Sequence, residues 1–440
     1  KWRNIDVDYY VEKEYEPYAK QIFGNTPEMI EFFSKKLNYD FPWQKYAQIV
    51  GRDYVSGAME NTTAVIHEES AQQKAGDLAD ENKWEDVIAH ELFHHWFGDL
   101  VTAESWSNLT VNESFADYSE YLWNEYKYGK DEADYKRLKS LRNSKADPRN
   151  FGKDLVRFNY ESREDMFDGV SYNKGGGILH MLRNYLGDDA FFGGLSDYLK
   201  TNEYGTGEAH QLRLSLEKVS GKDLNWFFNQ WYFGKGYPKL EVKSTFDPMK
   251  KQVTVNVAQT QEEKFEFPLS IDVLENGKIS RKEVWVTAKA KNDFVFDVTK
   301  NPELINANPE GLLLSDIKQD KTPEQLFLQY TTAKDLYSKY TAIEEAKDQV
   351  SKNPFADKLY AAALKDKFYR NRLLALEGLP EDPKSFLADV EKLAQNDEKN
   401  LVKGAAIGVL AKTKNPKYLP LFEKGINAIS NSVKGNSLSG

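Results

Sequence analysis

The stretch IAHELFHHWFGDL, residues 88–100, gathers three of the chain's six histidines within six positions and puts a glutamate between the first two. Read as a helix at about 100° per residue, His90 and His94 project only about 40° apart. Two imidazoles on one face, a turn apart, can chelate a single ion. His95 lies about 140° from His90 around the same helix, so that pair cannot share a metal without breaking it. Leu92, Phe93, Trp96 and Phe97 fill the opposite arc, which predicts a helix anchored in a core. Residues 90–94, HELFH, are therefore an HExxH motif, and a fold that uses it must bring further ligands to one face of a buried helix.

A lone buried histidine more often just hydrogen-bonds, so the motif needs a third ligand. Glu113 supplies one. It lies nineteen positions after His94 in TVNESFADYSEYLW, which has the pattern of a second helix beginning near Asn112. A carboxylate returned beside the first helix completes a His90–His94–Glu113 set with one position left open. That is a catalytic rather than a structural arrangement, and imidazole plus carboxylate suits one Zn²⁺ per chain. Glu120, two turns after Glu113, is a possible partner for a ligand, although such a residue is more often solvated or salt-bridged. Glu91 is not needed as a ligand. Beside a zinc whose bound water has a pKa near about 7, it is placed to act as general base and to pass the proton to a leaving amine.

The rest of the chain reads as a multidomain α+β protein. At 440 residues it exceeds one domain of usual size, and 40% hydrophobic content with 9 Trp, 25 Tyr and 25 Phe is ample for real cores. VDYYVE and YAQIVGRDYVSG have strand character, and EYEPYAKQIFGNTPEMIEFFSKKL between them has helical spacing. Residues 84–235 are mostly helical in pattern. After FNQWYFGKGYPKLEV the text alternates: KLEVKSTF, KQVTVNVAQ, FPLSIDVLENG and KEVWVTA predict short strands of a β-sandwich over residues 237–319. Residues 320–440 read as helical. YRNRLLAL (369–376) and VKGAAIGV (402–409) share a pattern 33 positions apart, which fits either HEAT-like helical repeats or an ordinary bundle. The polar tail has no capping repeat, which leaves room for the parent protein to continue.

Several function classes fall away on composition. A net charge of −10 gives no footprint for nucleic acid or anionic lipid, and no apolar run approaches a transmembrane segment. The absence of cysteine excludes thiol catalysis, disulfides and Cys-based zinc sites. The expectation is a soluble protein. Its oligomeric state and compartment are left open, with a lean to periplasmic or secreted.

Thirty positions ahead of the HExxH helix lies GAMEN, residues 57–61. With HExxH-x18-E it resembles the M1 family of zinc aminopeptidases. WFGDLVT, NESFA, SYNKGG (171–176) and FFNQW (227–231) agree with that family. The resemblance is close over residues 1–236 and implies a thermolysin-like catalytic domain there, made of a small mixed sheet and mostly helices. It further implies that Glu60 binds the α-ammonium of a peptide with a free N-terminus. Gly57 and Ala58 let the peptide lie alongside their backbone, Met59 lines the first-residue pocket, and Asn61 completes the substrate-binding stretch. Tyr172 is implied as the residue that stabilises the tetrahedral oxyanion. The chain departs from the family at His95, often glutamine, and at Ser105–Trp106, where relatives carry paired tryptophans. Family members also carry an N-terminal β domain ahead of KWRNIDVDYYVE that helps close the site. Two other readings remain: a thermolysin-like endopeptidase, which has no use for GAMEN, and a catalytically silent scaffold, against which intact Glu91, Tyr172 and ligands argue.

Overall fold

The computed structural model describes residues 1–147, 149–150 and 152–440. The chain forms two compact units, one of residues 1–74 and 82–237, the other of residues 75–81 and 238–440. The first unit is built on a mixed four-stranded sheet of β1 (Asp6–Tyr10), β2 (Lys45–Gly51), β3 (Ala58–Met59) and β4 (Ala64–Glu68). Their order is β1-β2-β4-β3, with β1, β2 and β4 parallel and β3 running antiparallel to β4 along one edge. Helices α1 (Glu16–Phe23) and α2 (Thr26–Leu37) make the crossover from β1 to β2. Proline opens both, and Asn38 in the left-handed conformation ends the second.

After the short α3 (Ala75–Leu78), which belongs to the other unit, the first unit continues with α4 (Glu85–Phe93), α5 (Thr110–Tyr128), α6 (Lys130–Ala146) and α7 (Gly175–Leu186). The predicted HExxH helix is α4, and α5 begins two residues earlier than the pattern suggests. Aromatic rings back them: Phe93 stands edge-on to Phe33 and stacks on Phe97, which stacks on Phe115 of α5 at 4.2 Å. Among the described residues, no helix is long and apolar enough to cross a membrane.

His67, in the sheet behind the site, couples the fold to pH. It is fully buried, its Nδ1 accepts from Trp84 Nε1 at 3.1 Å, and its Nε2–H therefore donates to Gln48 Oε1 at 2.9 Å. Both nitrogens are engaged in the neutral ring, and burial pushes the pKa down to about 3. The folded pKa lies below the ordinary value near 6.5, so the unfolded chain takes up a proton the folded one refuses. Stability is full above that value and falls by about 1.4 kcal/mol per pH unit from this group as pH drops toward 3. The melting temperature of the parent should therefore fall faster between pH 7.5 and pH 5 than that of His67→Gln, whose amide can keep both hydrogen bonds uncharged. Parallel curves in the two proteins would remove His67 as the cause.

In the second unit the four expected strands form as β7 (Lys239–Asp247), β8 (Gln252–Gln259), β9 (Phe267–Glu275) and β10 (Lys278–Val286), counted after a small pair β5 (Val101–Ala103) and β6 (Gly205–Gly207) in the first unit. Asn276 and Gly277 both have positive φ and turn β9 into β10, the mirror-image turn that Asn-Gly favours in a tight hairpin. Three strands went unpredicted: β11 (Lys291–Asp297), β12 (Leu304–Ala307) and β13 (Asp316–Lys318). They complete one sheet ordered β10-β9-β12 and another ordered β11-β8-β7-β13. The alternate residues of β8 are buried, as expected for a sheet with one covered face.

Helices follow from Pro323 to the end, the first capped by Thr322 and Gln325 in a reciprocal capping box. The two copies of the pattern, 33 positions apart, both lie in helices, Tyr369–Glu377 and Asn400–Lys412, but share only their third and eighth positions as buried ones. The array also holds residues 75–81, which leave the first unit just before the HExxH helix. Arg370 pairs with Glu81 at 2.6 Å, Asn400 Nδ2 donates to Ala79 O at 2.8 Å, and Asp80 accepts from Ser430 and from Ser432 N.

Candidate metal centre and active site

Helix α4 ends at Phe93, earlier than an unbroken wheel through Phe97 implies. The turn tightens: His95 N bonds Leu92 O and Trp96 N bonds Phe93 O, three residues back, and the chain then reverses at Gly98 with φ +149°. A Cβ there would stand 3.0 Å from His94 O, so only glycine fits. His94 keeps helical dihedrals at the cap and stays one turn from His90.

The structure brings His90, His94 and Glu113 together. Glu113 Oε2 lies 3.4 Å from His90 Nε2 and 3.3 Å from His94 Nε2, and all three residues are buried. Four donors about 2.0–2.2 Å from a tetrahedral zinc stand about 3.3 Å apart, so the spacing suits that ion. The other ring nitrogens are taken: His90 Nδ1 faces Glu120 Oε1 at 3.0 Å, and His94 Nδ1 faces Phe97 O at 2.9 Å. Both Nε2 atoms are thereby aimed at one point. Glu113 Oε2 is buried without a hydrogen-bond donor, a state a cation relieves. The three residues fit a zinc ion.

Electrostatics point the same way. Burial opposes charge on all three groups, yet Glu113 and Glu120 hold His90 far above its ordinary pKa. For His94 the charges of Glu60 and Glu113 overcome burial and raise it to about 10. The same imidazoles hold Glu113 well below the usual carboxylate range against its burial. The pocket is built around positive charge, which a dication provides.

Glu91 is buried with Oε2 unpaired, and burial pushes its carboxyl up to about 7 against the pull of His90 and His94. Glu60, from the loop after β3, comes near enough that a carboxylate oxygen of Glu60, one of Glu91 and a nitrogen of His94 all lie within 4.8 Å of one another. The edge strand β3 holds Ala58 and Met59 and pairs only with β4; Gly57 O accepts from Glu68 N at 2.9 Å. Gly57, Met59 and Asn61 are exposed and Ala58 is half-buried. Nothing in the chain lies within 4 Å of where a Gly57 Cβ would stand, so no contact within this fold demands that glycine.

Tyr172 sits in a π-helical turn, Val170–Lys174, and its ring lies nearly parallel to His90 at 5.9 Å. Burial, then the charge of Glu113 and a hydrogen bond to it, push the phenol far above its ordinary range. Asp168 organises the turn. Its Oδ1 accepts from Val170 N and Ser171 N, and its Oδ2 pairs with Lys153 and Arg157. Sequence reasoning missed Asp168, though an aspartate two residues ahead of a turn is a readable cap. It offered Glu120 as a possible partner for a ligand, and Glu120 does face His90 Nδ1; no spacing rule singles out Asp99, half-buried and pushed by burial up to about 7.

Residues 22–231 match the Peptidase family M1 domain. The chain is 33% identical over 230 residues to aminopeptidase N of Streptomyces lividans, covering 48% of this chain and 26% of that protein. With aminopeptidase M1 of Arabidopsis thaliana it shares 31% identity over 227 residues, covering 49% and 25%. The matched stretch thus spans about a quarter of the length of these curated relatives. A crystal structure of Legionella pneumophila aminopeptidase A in complex with aspartic acid shares the fold at TM-score 0.81 and 18% identity, covering 98% of this chain and 57% of that one.

Proposed function

Residues 22–231 belong to peptidase family M1, and from that premise we propose that the chain is a zinc-dependent aminopeptidase that hydrolyses the N-terminal bond of peptides. The observation that carries this reading is the meeting of two clusters on His94: the His90–His94–Glu113 donor set, and the carboxylates of Glu60 and Glu91. A zinc site alone suits any metallohydrolase. A further carboxylate a few ångströms away gives the substrate's α-ammonium a place and restricts cleavage to the first bond.

Zinc, when bound by His90, His94 and Glu113, supplies Lewis acidity that acidifies water and polarises the scissile carbonyl. The chain's own groups do the rest. The substrate backbone extends the sheet at the open edge of β3, along Gly57 and Ala58, with Met59 and Asn61 beside its first residue. Glu60 holds the α-ammonium. Glu91 takes a proton from the attacking water as its oxygen bonds to the carbonyl carbon, and delivers that proton to the nitrogen as the C–N bond breaks. The Tyr172 hydroxyl turns from Glu113 to donate to the developing oxyanion. This reading divides the chain into a thermolysin-like catalytic domain (1–236), a β-sandwich (237–319) and a HEAT-like helical domain (320–440).

The test is a matched pair of substrates, an aminoacyl chromogenic amide and its N-acetyl derivative. Acetylation removes the charge Glu60 pairs with and leaves that half-buried carboxylate without a partner, worth about 3–4 kcal/mol, so kcat/KM should fall by about 10²–10³. Equal rates would sink the assignment of Glu60. Cleavage of internal bonds in a blocked peptide would move the chain to an endopeptidase.

A further inference from the structure

The third histidine of HELFHH has so far no part in the chemistry, and neither has the turn that follows GAMEN. The two meet. Residues 61–64 close the hairpin between β3 and β4, with Ala64 N bonded to Asn61 O at 2.8 Å. Its third residue is Thr63, at φ +65°. Glycine or asparagine ordinarily fills that place, because a β-branched side chain in the left-handed region is strained and persists only when its surroundings hold it.

His95 is what holds it. Thr63 N–H donates to His95 Nε2 at 2.9 Å, and Thr63 O accepts from Ala47 N of β2 at 2.9 Å. An imidazole nitrogen that accepts carries no hydrogen, so the ring's proton is on Nδ1, which faces Glu91 O at 3.3 Å. One ring therefore touches both the backbone of Glu91 and the turn three residues after Glu60. It has little room to shift: it is fully buried, stacks on Phe41 at 5.6 Å, meets the edge of Tyr46 at 5.0 Å, and Trp43 Nε1 bonds its carbonyl. The neighbouring Thr62 hydrogen-bonds to Asp99, from the same turn after the HExxH helix.

We propose that His95 is a positioning residue: it pins the strained hairpin turn at Thr63 to the helix of Glu91, and so sets the Glu60 carboxylate at its place beside Glu91 and His94. This rests on the aminopeptidase reading, in which that placement decides how the substrate's α-ammonium is bound.

The variants are His95→Leu, which fills the space without an acceptor; His95→Gln, whose amide oxygen can accept from Thr63 N; and Thr63→Gly, which needs no holding at positive φ. With zinc content unchanged, His95→Leu should raise KM for an aminoacyl amide about tenfold and leave kcat within about twofold. His95→Gln should recover most of the loss, and adding Thr63→Gly to His95→Leu should do the same. In a Glu60→Ala background, His95→Leu should change KM no further. Hydrogen–deuterium exchange of the zinc-free protein supplies a readout independent of activity: exchange at residues 58–66 should rise in His95→Leu and return in the Thr63→Gly double variant. Unchanged exchange in His95→Leu, or an equal KM increase with and without Glu60, would overturn the proposal. A parent that cleaves no aminoacyl amide, yet shows the stated exchange pattern, would instead overturn the aminopeptidase reading and leave His95 as the anchor of the turn.

Discussion

Replacing Glu91 by glutamine should leave zinc bound and lower kcat by about 10³ or more. The two halves of that result have separate causes. In the proposed site metal is held by His90, His94 and Glu113, whose donor atoms already stand at the spacing a tetrahedral ion needs; Glu91 adds no atom to that set. Its buried side chain is replaced by one of the same shape, so the helix and the aromatic packing behind it stay put. What the amide lacks is a site for a proton. A positioned base contributes about 10²–10⁴ to a hydrolysis, and here the same group must also protonate the departing amine, so both halves of the reaction suffer. KM should change little. Metal analysis and steady-state kinetics on one preparation check both halves: a kcat within tenfold of the parent, or a loss of zinc, would remove Glu91 from its role.

How much of this was legible in the sequence depended on whether a rule of local geometry applied. His90 and His94 follow from helical spacing, and Glu113 from a second helix pattern at a workable distance. The Asn276–Gly277 turn and the strands on either side follow from turn chemistry and alternation. Glu60 and Tyr172 were singled out only through resemblance, because one glutamate in a turn and one tyrosine among 25 carry no local signal. Long-range pairing hid the remainder. Nothing in HHW says that the second imidazole will accept from the amide of Thr63, thirty-two residues upstream. Nothing in AGDLADE says that these residues leave one unit and are gripped by helices more than 280 positions later. Strand β12 was missed for a different reason: four buried residues are too short for a period to show.

Glutamate-to-alanine at position 113 should lower zinc affinity by about a thousandfold or more, and a graded series gives the result its meaning. Partners that only orient a ligand are worth about 10–100-fold in metal affinity, so Glu120→Gln, which weakens the hold on His90 Nδ1, should fall in that range. In the proposed site Glu113 is itself a ligand, with one oxygen near 3.4 Å from both imidazole Nε2 atoms, and it is the only carboxylate in that donor set. Removing it takes away a donor and the negative charge that offsets a buried dication, and the smaller side chain leaves a gap that water fills less well than a fixed carboxylate. Competition with a zinc-binding dye measures all three variants on one scale, and the expected order of loss is Glu91→Gln, Glu120→Gln, Glu113→Ala. The order matters more than any single value. If Glu113→Ala loses no more zinc than Glu120→Gln, then Glu113 orients the histidines instead of binding metal. The carboxylate ligand would then have to be sought in the other cluster on His94, at Glu60 or Glu91, and the division of labour between binding metal and moving protons would be reversed.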